Sequence, residues 1–394
     1  MKRIRRMILL GSICGALSVA ALVLPSAPGA VAAARTGVKG SVASCGGRDV
    51  YSLNAEQRAT CDVTAHAATE YGVAGLYGGR VYTYHLGGST EVVYRITPAG
   101  FDALRATAAE LRYFGMPRRP SGGRALALWQ GLMRNARHFL VPPRTLLTIP
   151  SSDIAPSSAI ADNRSDVSSP EVTLPSCPKT FLSNWAGYVE CQTAKSGALT
   201  DVEAFYDEPS EHSPNCSNSA TAPWVGLGGA GVGSGAFGQD GTAVGAVANL
   251  GNNQAWYTAN TVGIPVKGLY AAAGSSFYAE TTYGADGVHG RGFYFALQNS
   301  SGDVVYPFVS SAAADTETAE AVIEWLYMNG KKLANFGTIK FTAVASNFNL
   351  PITYGFDQVN NIEDTKVDTS TSAVTASGMG FPYDQFSVTY KGCT

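Results

Sequence analysis

The sequence predicts an all-β fold, an antiparallel β-sandwich, for the chain that follows residue 180. Short runs rich in Val, Tyr, Phe and Thr recur there between Gly, Asn and Asp, with no helical pattern between them. Many short strands at close spacing are typical of a sandwich or barrel. The 44 glycines and the low charged fraction of 15% also suit a turn-rich β protein. The clearest runs are Asn184–Val189, Val202–Tyr206, Ser276–Tyr283, Gly292–Gln298, Val304–Val309, Thr338–Val344 and Phe386–Lys391.

The first 34 residues have the pattern of an export signal. Lys2, Arg3, Arg5 and Arg6 form a positive start, and an apolar stretch from Met7 to Leu24 follows. Small, alanine-rich residues then occupy 30–34, as they do ahead of a signal cleavage site. We therefore expect a secreted, extracellular protein with no membrane association after cleavage; the alternative is an uncleaved membrane anchor.

Residues 35–150 predict a partly helical segment, called the leader below. Its first helical pattern follows Pro98, and a second runs from Ala125 to Met133. The apolar residues of the first pattern are Phe101, Leu104, Ala108 and Leu111. Residues 151–180 are rich in Ser, Pro and Asp without apolar periodicity, which indicates an exposed linker open to proteolytic cleavage. Residues 181–394 then form the predicted β domain.

The charge is divided unevenly between the two parts of the chain. Residues 1–170 carry 19 Lys and Arg against 10 Asp and Glu, whereas residues 171–394 carry 9 against 20. Such asymmetry can mark nucleic-acid binding. The basic residues are scattered and begin in the export signal, so we expect no nucleic-acid partner.

The cysteines predict disulfide bonds rather than a metal site. Six of the 7 cysteines remain after signal removal, and an even number in an exported chain favours pairing. We expect Cys45 to pair with Cys61 inside the leader. The later four would pair among themselves in one of three ways: Cys177, Cys191, Cys216 and Cys393. No CxxC motif and no Cys/His cluster with zinc spacing occurs, so no structural metal is expected.

The sequence lacks the usual nucleophile and metal motifs of secreted hydrolases. After the linker, only His212 and His289 could act as a base, and both lie in polar or glycine-rich turns. Ser234 does not lie in a GxSxG elbow, because Val232 and Ala236 occupy the glycine positions. Paired DTG-like loops and HExxH are also absent. Carboxylates and amides remain as the chemistry that the sequence can support.

Residues 319–324, AEAVIE, alternate as a strand. Glu320, Val322 and Glu324 share one face, and apolar side chains share the other. Taken alone, this is the pattern of an ordinary half-buried strand with carboxylates on its wet face.

Three segments resemble those of the glutamic peptidases, the eqolisin family, in order and rough spacing. They are SNWAGYV at 183–189, WVGLGG followed by GQDGT within 224–242, and AEAVIE followed by LANFGTIKF within 319–341. The leader also resembles the segment that precedes the peptidase in actinobacterial members of the family, in PAGFDALRATAAELRYFGMPRRP followed by ALALWQGLM. The resemblance of the later part spans about residues 183–392.

The resemblance implies a catalytic pair formed by Gln239 and Glu320. Four further residues would bind substrate: Trp224, Trp256, Tyr257 and Glu324. A shifted alignment would make Glu324 catalytic, because Trp325 follows it; we prefer Glu320, since AEAVIE keeps the family's spacing. The sequence also departs from the family where Trp-Tyr-Glu becomes Trp-Tyr-Thr at 256–258, and where an aspartate often found after Trp-Val-Gly is Gly228.

The function implied by the resemblance is that of an acid endopeptidase made as a zymogen. The pair would activate water in a concave substrate groove without cofactor or metal. The expected partners of this monomer are protein or peptide substrates and its own propeptide, the leader, which acid would release through cleavage within 151–180. The alternative is a catalytically lapsed β-sandwich that binds carbohydrate or peptide.

Overall fold

The computed structural model describes residues 47–150 and, with gaps, 185–391; all of them belong to one compact unit, Lys39–Thr394. The gaps are 192–197, 211–218, 229–235, 246, 248–249, 260–261, 326–332, 347–365, 369–370, 373, 379 and 381–383. The predicted signal peptide, 1–34, and the predicted linker, 151–180, lie outside the described residues.

The described residues form an antiparallel β architecture, which confirms the predicted fold class. The strands of the leader are β1 (Thr64–Ala74), β2 (Arg80–Gly87), β3 (Thr90–Ile96), β4 (His138–Phe139) and β5 (Thr145–Pro150). Those that follow are β6 (Trp185–Cys191), β7 (Asp201–Asp207), β8 (Ala220–Leu227), β9 (Gly238–Thr242), β10 (Val244–Gly245), β11 (Gln254–Ala259), β12 (Val262–Tyr270), β13 (Ser276–Ala285) and β14 (Arg291–Asn299). The remaining strands are β15 (Asp303–Val305), β16 (Pro307–Ser310), β17 (Thr318–Trp325), β18 (Thr338–Ser346), β19 (Lys366–Asp368), β20 (Thr371–Ser372), β21 (Val374–Ala376) and β22 (Phe386–Tyr390).

The strands form two layers. The front sheet has the order β6–β17–β8–β9–β11–β12–β5, with β10 continuing the pairing along β8. The back sheet has the order β21–β22–β18–β7–β13–β14–β16–β3–β2–β1. Pairing of β1 with β5 joins the two sheets at one side.

The main core lies between the inner faces of the sheets. Val225, Tyr257 and Ile323 of the front sheet are buried there against Phe293 and Phe295 of the back sheet. Because side chains alternate along a strand, the neighbours of these front-sheet residues project from the opposite, outer face. The outer face of the front sheet is where the polar pair described below lies.

Strands of the leader complete both sheets, which the sequence did not predict. Strand β3 pairs with β16 and β5 pairs with β12, both antiparallel, while β4 runs parallel to β15. An exposed sheet edge offers free N–H and C=O groups, and the leader strands satisfy them. The leader therefore packs as part of the β architecture; the boundaries between signal, leader, linker and β domain stay predictions.

Three α-helices lie in the described part of the leader, 47–150: α1 (Ala55–Thr60), α2 (Ala108–Tyr113) and α3 (Gly123–Asn135). The helix expected from Phe101 onward begins later, because the Thr107 side chain accepts from the Glu110 amide and Glu110 caps Thr107 in return. Helix α3 buries Trp129 against the outer face of the back sheet. None of the described helices is long and apolar enough to span a membrane.

Cys61 is disulfide-bonded. The side chains of the other cysteines lie outside the described residues, so the pairing of Cys61 with Cys45 stays a prediction.

A buried ion pair fastens the leader to the turn between β13 and β14. The two Nη atoms of Arg95 donate to the two carboxylate oxygens of Asp286, each at 2.7 Å. Both side chains are almost fully buried, at 4% and 1% exposed. Burial acts to raise the pKa of Asp286, but the hydrogen bonds and charge of Arg95 outweigh it, and the pKa is lowered.

We expect Arg95→Ala to destabilise the protein by about 3–5 kcal/mol at pH 7, because it leaves the Asp286 carboxylate buried without its cation. Urea denaturation measures the loss. Arg105→Ala is the control, since Arg105 and Asp102 form an exposed pair. Because the pKa of Asp286 is lowered only by its contacts with Arg95, the unpaired carboxyl in Arg95→Ala should take up a proton as the pH falls, so the loss should be smaller at pH 4 than at pH 7. Equal losses in both variants would contradict this account of the pair.

Candidate active site

Gln239 and Glu320 lie on either side of one glycine in the front sheet. Strands β9, β8 and β17 are neighbours, and Gly226 of β8 is directly opposite Gln239 on one side and Glu320 on the other. Residues directly opposite each other in an antiparallel pair project from the same face. The two side chains therefore share the outer face, with backbones two strand spacings, or about 10 Å, apart.

The missing side chain of Gly226 provides space between the pair. A Cβ atom at this position would lie 2.6 Å from Cγ of Gln239 and 2.9 Å from the ring of Trp224. The Gln239 side chain thus lies over the residue that separates it from Glu320. Any larger residue at position 226 would push Gln239 away.

Both members of the pair are buried with oxygens that have no hydrogen-bond partner among the described residues. This holds for Oε1 of Gln239 and for both carboxyl oxygens of Glu320, which are 2% and 0% exposed. Buried polar groups are paired in the great majority of cases, so two adjacent unpaired groups need an explanation. A place prepared for a polar ligand or a water molecule supplies one.

Burial raises the pKa of Glu320 well above its ordinary value, because the charged form is deprived of water. The charge of Asp315 adds to this rise. The Thr318 hydroxyl acts to lower the pKa of Glu320 and offsets part of the rise, although its geometry is not that of a normal hydrogen bond. Glu320 therefore holds its proton more tightly in the folded protein than it would in water.

The second glutamate of β17 has a different environment. Nε1 of Trp224 donates to Oε2 of Glu324 at 3.0 Å, and the ring of Trp185 packs edge-on against Trp224. Glu324 lies four residues from Glu320 on the same face, opposite Ala222 of β8. It is anchored by an indole, whereas the carboxyl oxygens of Glu320 have no hydrogen-bond partner among the described residues.

Of the aromatic pair on β11, only Trp256 is on the outer face. Trp256 is opposite Gly241 and joins the cluster around Trp224. The structure does not bring Tyr257 there: its ring packs against Phe295 in the main core and its hydroxyl contacts that of Tyr94. Consecutive residues of a strand face opposite ways, so both could not line one groove.

The leader covers the aromatic part of this outer face. One apolar cluster joins five buried leader residues to the front sheet, and its members from the sheet include three tryptophans. The leader residues are Val50, Leu53, Cys61, Leu147 and Ile149. The front-sheet residues include Trp185, Trp224, Trp256 and Val322.

Polar contacts fix the same leader segment. Asp49 accepts hydrogen bonds from the Tyr270 hydroxyl at 2.7 Å and the Gln254 amide at 3.3 Å. The Gly47 amide donates to the carbonyl of Val247 at 2.9 Å. The sequence analysis did not predict that the leader would cover this face. The apolar run TLLTIP at 145–150, directly before the linker, was a signal for it.

The other candidate groups lie elsewhere. His289 contacts Glu91 of the leader, with Nδ1 and Oε2 2.8 Å apart. His212 and Ser234 lie outside the described residues. In the part of the chain that the structure describes, no three His, Cys, Asp or Glu side chains are grouped to hold a metal ion.

Fold and site together define an all-β protein of two packed antiparallel sheets with a buried Gln–Glu pair on an outer face. No family model and no curated protein sequence matches the chain. Among solved structures, it is similar to scytalido-glutamic peptidase bound to a transition-state analogue inhibitor, at 19% identity and a TM-score of 0.40. That match covers 56% of this chain and 100% of the other.

Two further solved structures are similar to the chain. SCP-B, described as a member of the eqolisin family of peptidases and bound to a tripeptide, has 19% identity and a TM-score of 0.37, over 56% of this chain and 100% of its own. Aspergilloglutamic peptidase from Aspergillus niger has 18% identity and a TM-score of 0.33, over 44% and 99%. Similarities of this size do not establish the activity of the chain.

We expect Glu320→Gln to raise the free energy of unfolding at pH 7, because the amide has no buried charge to neutralise. A carboxyl whose pKa is raised by folding stabilises the folded state fully below its unfolded pKa of about 4.3, and this stabilisation is lost as the pH rises. The gain over wild type should therefore vanish near pH 4. Urea denaturation at both pH values tests this, with Glu317→Gln as the exposed control. An equal gain in the free energy of unfolding at both pH values would contradict a raised pKa for Glu320.

Proposed function

We propose that the chain is a secreted glutamic endopeptidase, made as a zymogen, that hydrolyses internal peptide bonds in acid through Gln239 and Glu320. One observation carries the proposal: the two side chains lie on either side of Gly226, buried, with unpaired oxygens. The order of the sequence motifs, which puts these same residues at the catalytic positions of the eqolisins, supports it.

The chemistry follows from the two functional groups. In its ionised form, Glu320 takes a proton from water, which attacks the peptide carbonyl, and then returns the proton to the leaving amine. The amide of Gln239 does not titrate, so it can donate a hydrogen bond to the developing oxyanion at any acidity. Such a donor typically contributes about 3–4 kcal/mol to the transition state. No covalent intermediate and no metal is required.

The leader keeps the enzyme inactive in two ways. Val50 and Leu53 occupy the outer face beside Trp224 and Trp256, where an extended substrate would lie. Burial also raises the pKa of Glu320, which favours the protonated form, whereas only the ionised form can act as a base. Departure of the leader would hydrate the site and bring the pKa of Glu320 back toward the acidic range in which it can exchange protons.

Acid acts on the leader contacts in two opposing directions. Asp201, Glu203 and Glu280 lie on the outer face of the back sheet, where Glu203 lines a cavity with Trp129 of α3. Burial and then their mutual charges raise the pKa values of Asp201 and Glu203, and burial raises the pKa of Glu280 to about 7. These groups favour the covered state in acid and oppose it as the pH rises.

The Arg95–Asp286 pair depends on pH in the opposite way. It stabilises the covered state above the ordinary pKa of an aspartate and loses this effect only as the pH falls below that value. Protonation alone is therefore a weak means of releasing the leader near pH 4. Cleavage within 151–180 is the step that we propose for activation, because it separates the leader from the β domain covalently.

We expect Glu320→Gln and Gln239→Ala each to lower kcat/KM for casein-derived peptides at acid pH by about 10² or more, since each removes a group that acts in the transition state. Glu317→Gln is the matched control and should retain activity. Glu320→Gln precursor should also stay uncut in acid while wild type matures. If Glu324→Gln loses activity and Glu320→Gln keeps it, the alternative alignment is correct. If the wild-type protein binds peptides or glycans but does not hydrolyse peptides, it is a lapsed enzyme.

We expect Val50→Asp to give the uncut precursor measurable peptidase activity, because a charge at this fully buried position displaces the leader from the outer face. A fluorogenic peptide assay, with a gel to confirm that the chain is intact, measures this. Leu76→Asp is the control, because Leu76 is an exposed leader residue, at 61%. An inactive Val50→Asp precursor that becomes active once the linker is cut would place the block elsewhere.

A further inference from the structure

Asp315 lies beside the first residues of β9 and β17, the strands that carry Gln239 and Glu320. Its amide donates to the carbonyl of Ala236, two residues before β9, at 2.7 Å. Its Oδ1 accepts from the amide of Glu317, the residue directly before β17, at 3.0 Å. One turn thus fixes the chain leading to Gln239 and the chain leading to Glu320.

The same side chain closes the end of β8. A Cβ atom on Gly228 would lie 2.6 Å from Cβ and 3.1 Å from Cγ of Asp315, so the aspartate fills the space over that glycine. Gly228 has φ +75° and donates its amide to the carbonyl of Thr318 at 3.0 Å. The Asp315 side chain is buried, and it adjoins the end of each strand that builds the site: β8, β9 and β17.

Asp315 is also the carboxyl group whose charge acts on Glu320. The other acidic groups near β17 are differently placed, and Glu317, directly before the strand, is exposed. Glu324 accepts from Trp224, and Glu190 and Asp240 project from the opposite face of the sheet. On the leader segment that covers this face, Asp49 and Arg58 are hydrogen-bonded to Tyr270 and to the Val50 carbonyl.

We propose that Asp315 is a positioning residue for the Gln239–Glu320 pair: it sets the start of both strands and places a second carboxylate beside Glu320. The proposal rests on the function proposed above. Asp315 contacts neither substrate nor reacting atoms; it acts through the placement and the proton affinity of Glu320.

Two variants separate the roles of the turn and the charge. Asp315→Asn keeps an oxygen that can accept from the Glu317 amide but removes the charge; Asp315→Ala removes both. Asp207→Asn removes an exposed carboxyl from β7 and is the control. The Glu320 carboxyl is followed in full-length precursor by NMR with ¹³C-labelled glutamate, its signal being the one absent from Glu320→Gln.

We expect the Glu320 titration midpoint to be lower in Asp315→Asn than in wild type, because a neighbouring negative charge has been removed. Asp207→Asn should leave it unchanged. In matured enzyme, the acid limb of the kcat/KM profile should move to lower pH in Asp315→Asn, and Asp315→Ala should also lose about 10²-fold at the plateau through misplacement of the pair.

An unchanged Glu320 midpoint in Asp315→Asn overturns the proposal whether or not the protein is active, because the NMR measurement needs no turnover. An Asp315→Ala enzyme with wild-type kcat/KM also overturns it. Absence of peptidase activity in matured wild type would instead refute the proposed function, so the two failures are distinguishable.

Discussion

Three strands meet at Gly226, and the space left by its missing side chain lets the side chain of Gln239 lie between β9 and β17. The pairing of β9, β8 and β17 brings two polar groups onto one face, although they are 81 positions apart in the sequence. Shifting either strand by one residue would turn its polar group into the main core. Correct pairing of this ladder is therefore the condition for any chemistry at the site.

The leader also depends on correct strand pairing, because its strands belong to the same two sheets. Its strands satisfy the edges at β12 and β16, and its apolar residues cover tryptophans that would otherwise be exposed. Large exposed apolar patches are unfavourable in a soluble protein and typically mark a binding surface. The outer face of the front sheet therefore carries both the aromatic residues that the leader covers and the Gln239–Glu320 pair.

Electrostatics refine the simple expectation that acid releases the leader. The overall charges of the two parts are opposite, but the Arg95–Asp286 pair and the three carboxyls on the outer face of the back sheet are largely buried. Arg95 and Asp286 resist acid because their mutual stabilisation lowers the aspartate pKa. The carboxyls of Asp201, Glu203 and Glu280 bind protons more tightly when covered and therefore favour the covered state in acid. The opposite net charges of the two parts therefore do not predict how acid affects these contacts, because burial and close partners set the pKa values of the groups involved.

The sequence by itself determined the all-β fold class, helix α3 and the placement of Glu320 and Glu324 on one face, because alternation and turn residues are local properties. Its motif also predicted Gln239 as the partner of Glu320, and the catalytic role of this pair stays a prediction. Only the tertiary structure decided that Trp256 faces the site while Tyr257 faces the core, that Glu324 is anchored by Trp224, and that leader strands complete both sheets. Strand register and edge pairing depend on contacts between distant segments, and no local pattern specifies which edge a segment will join.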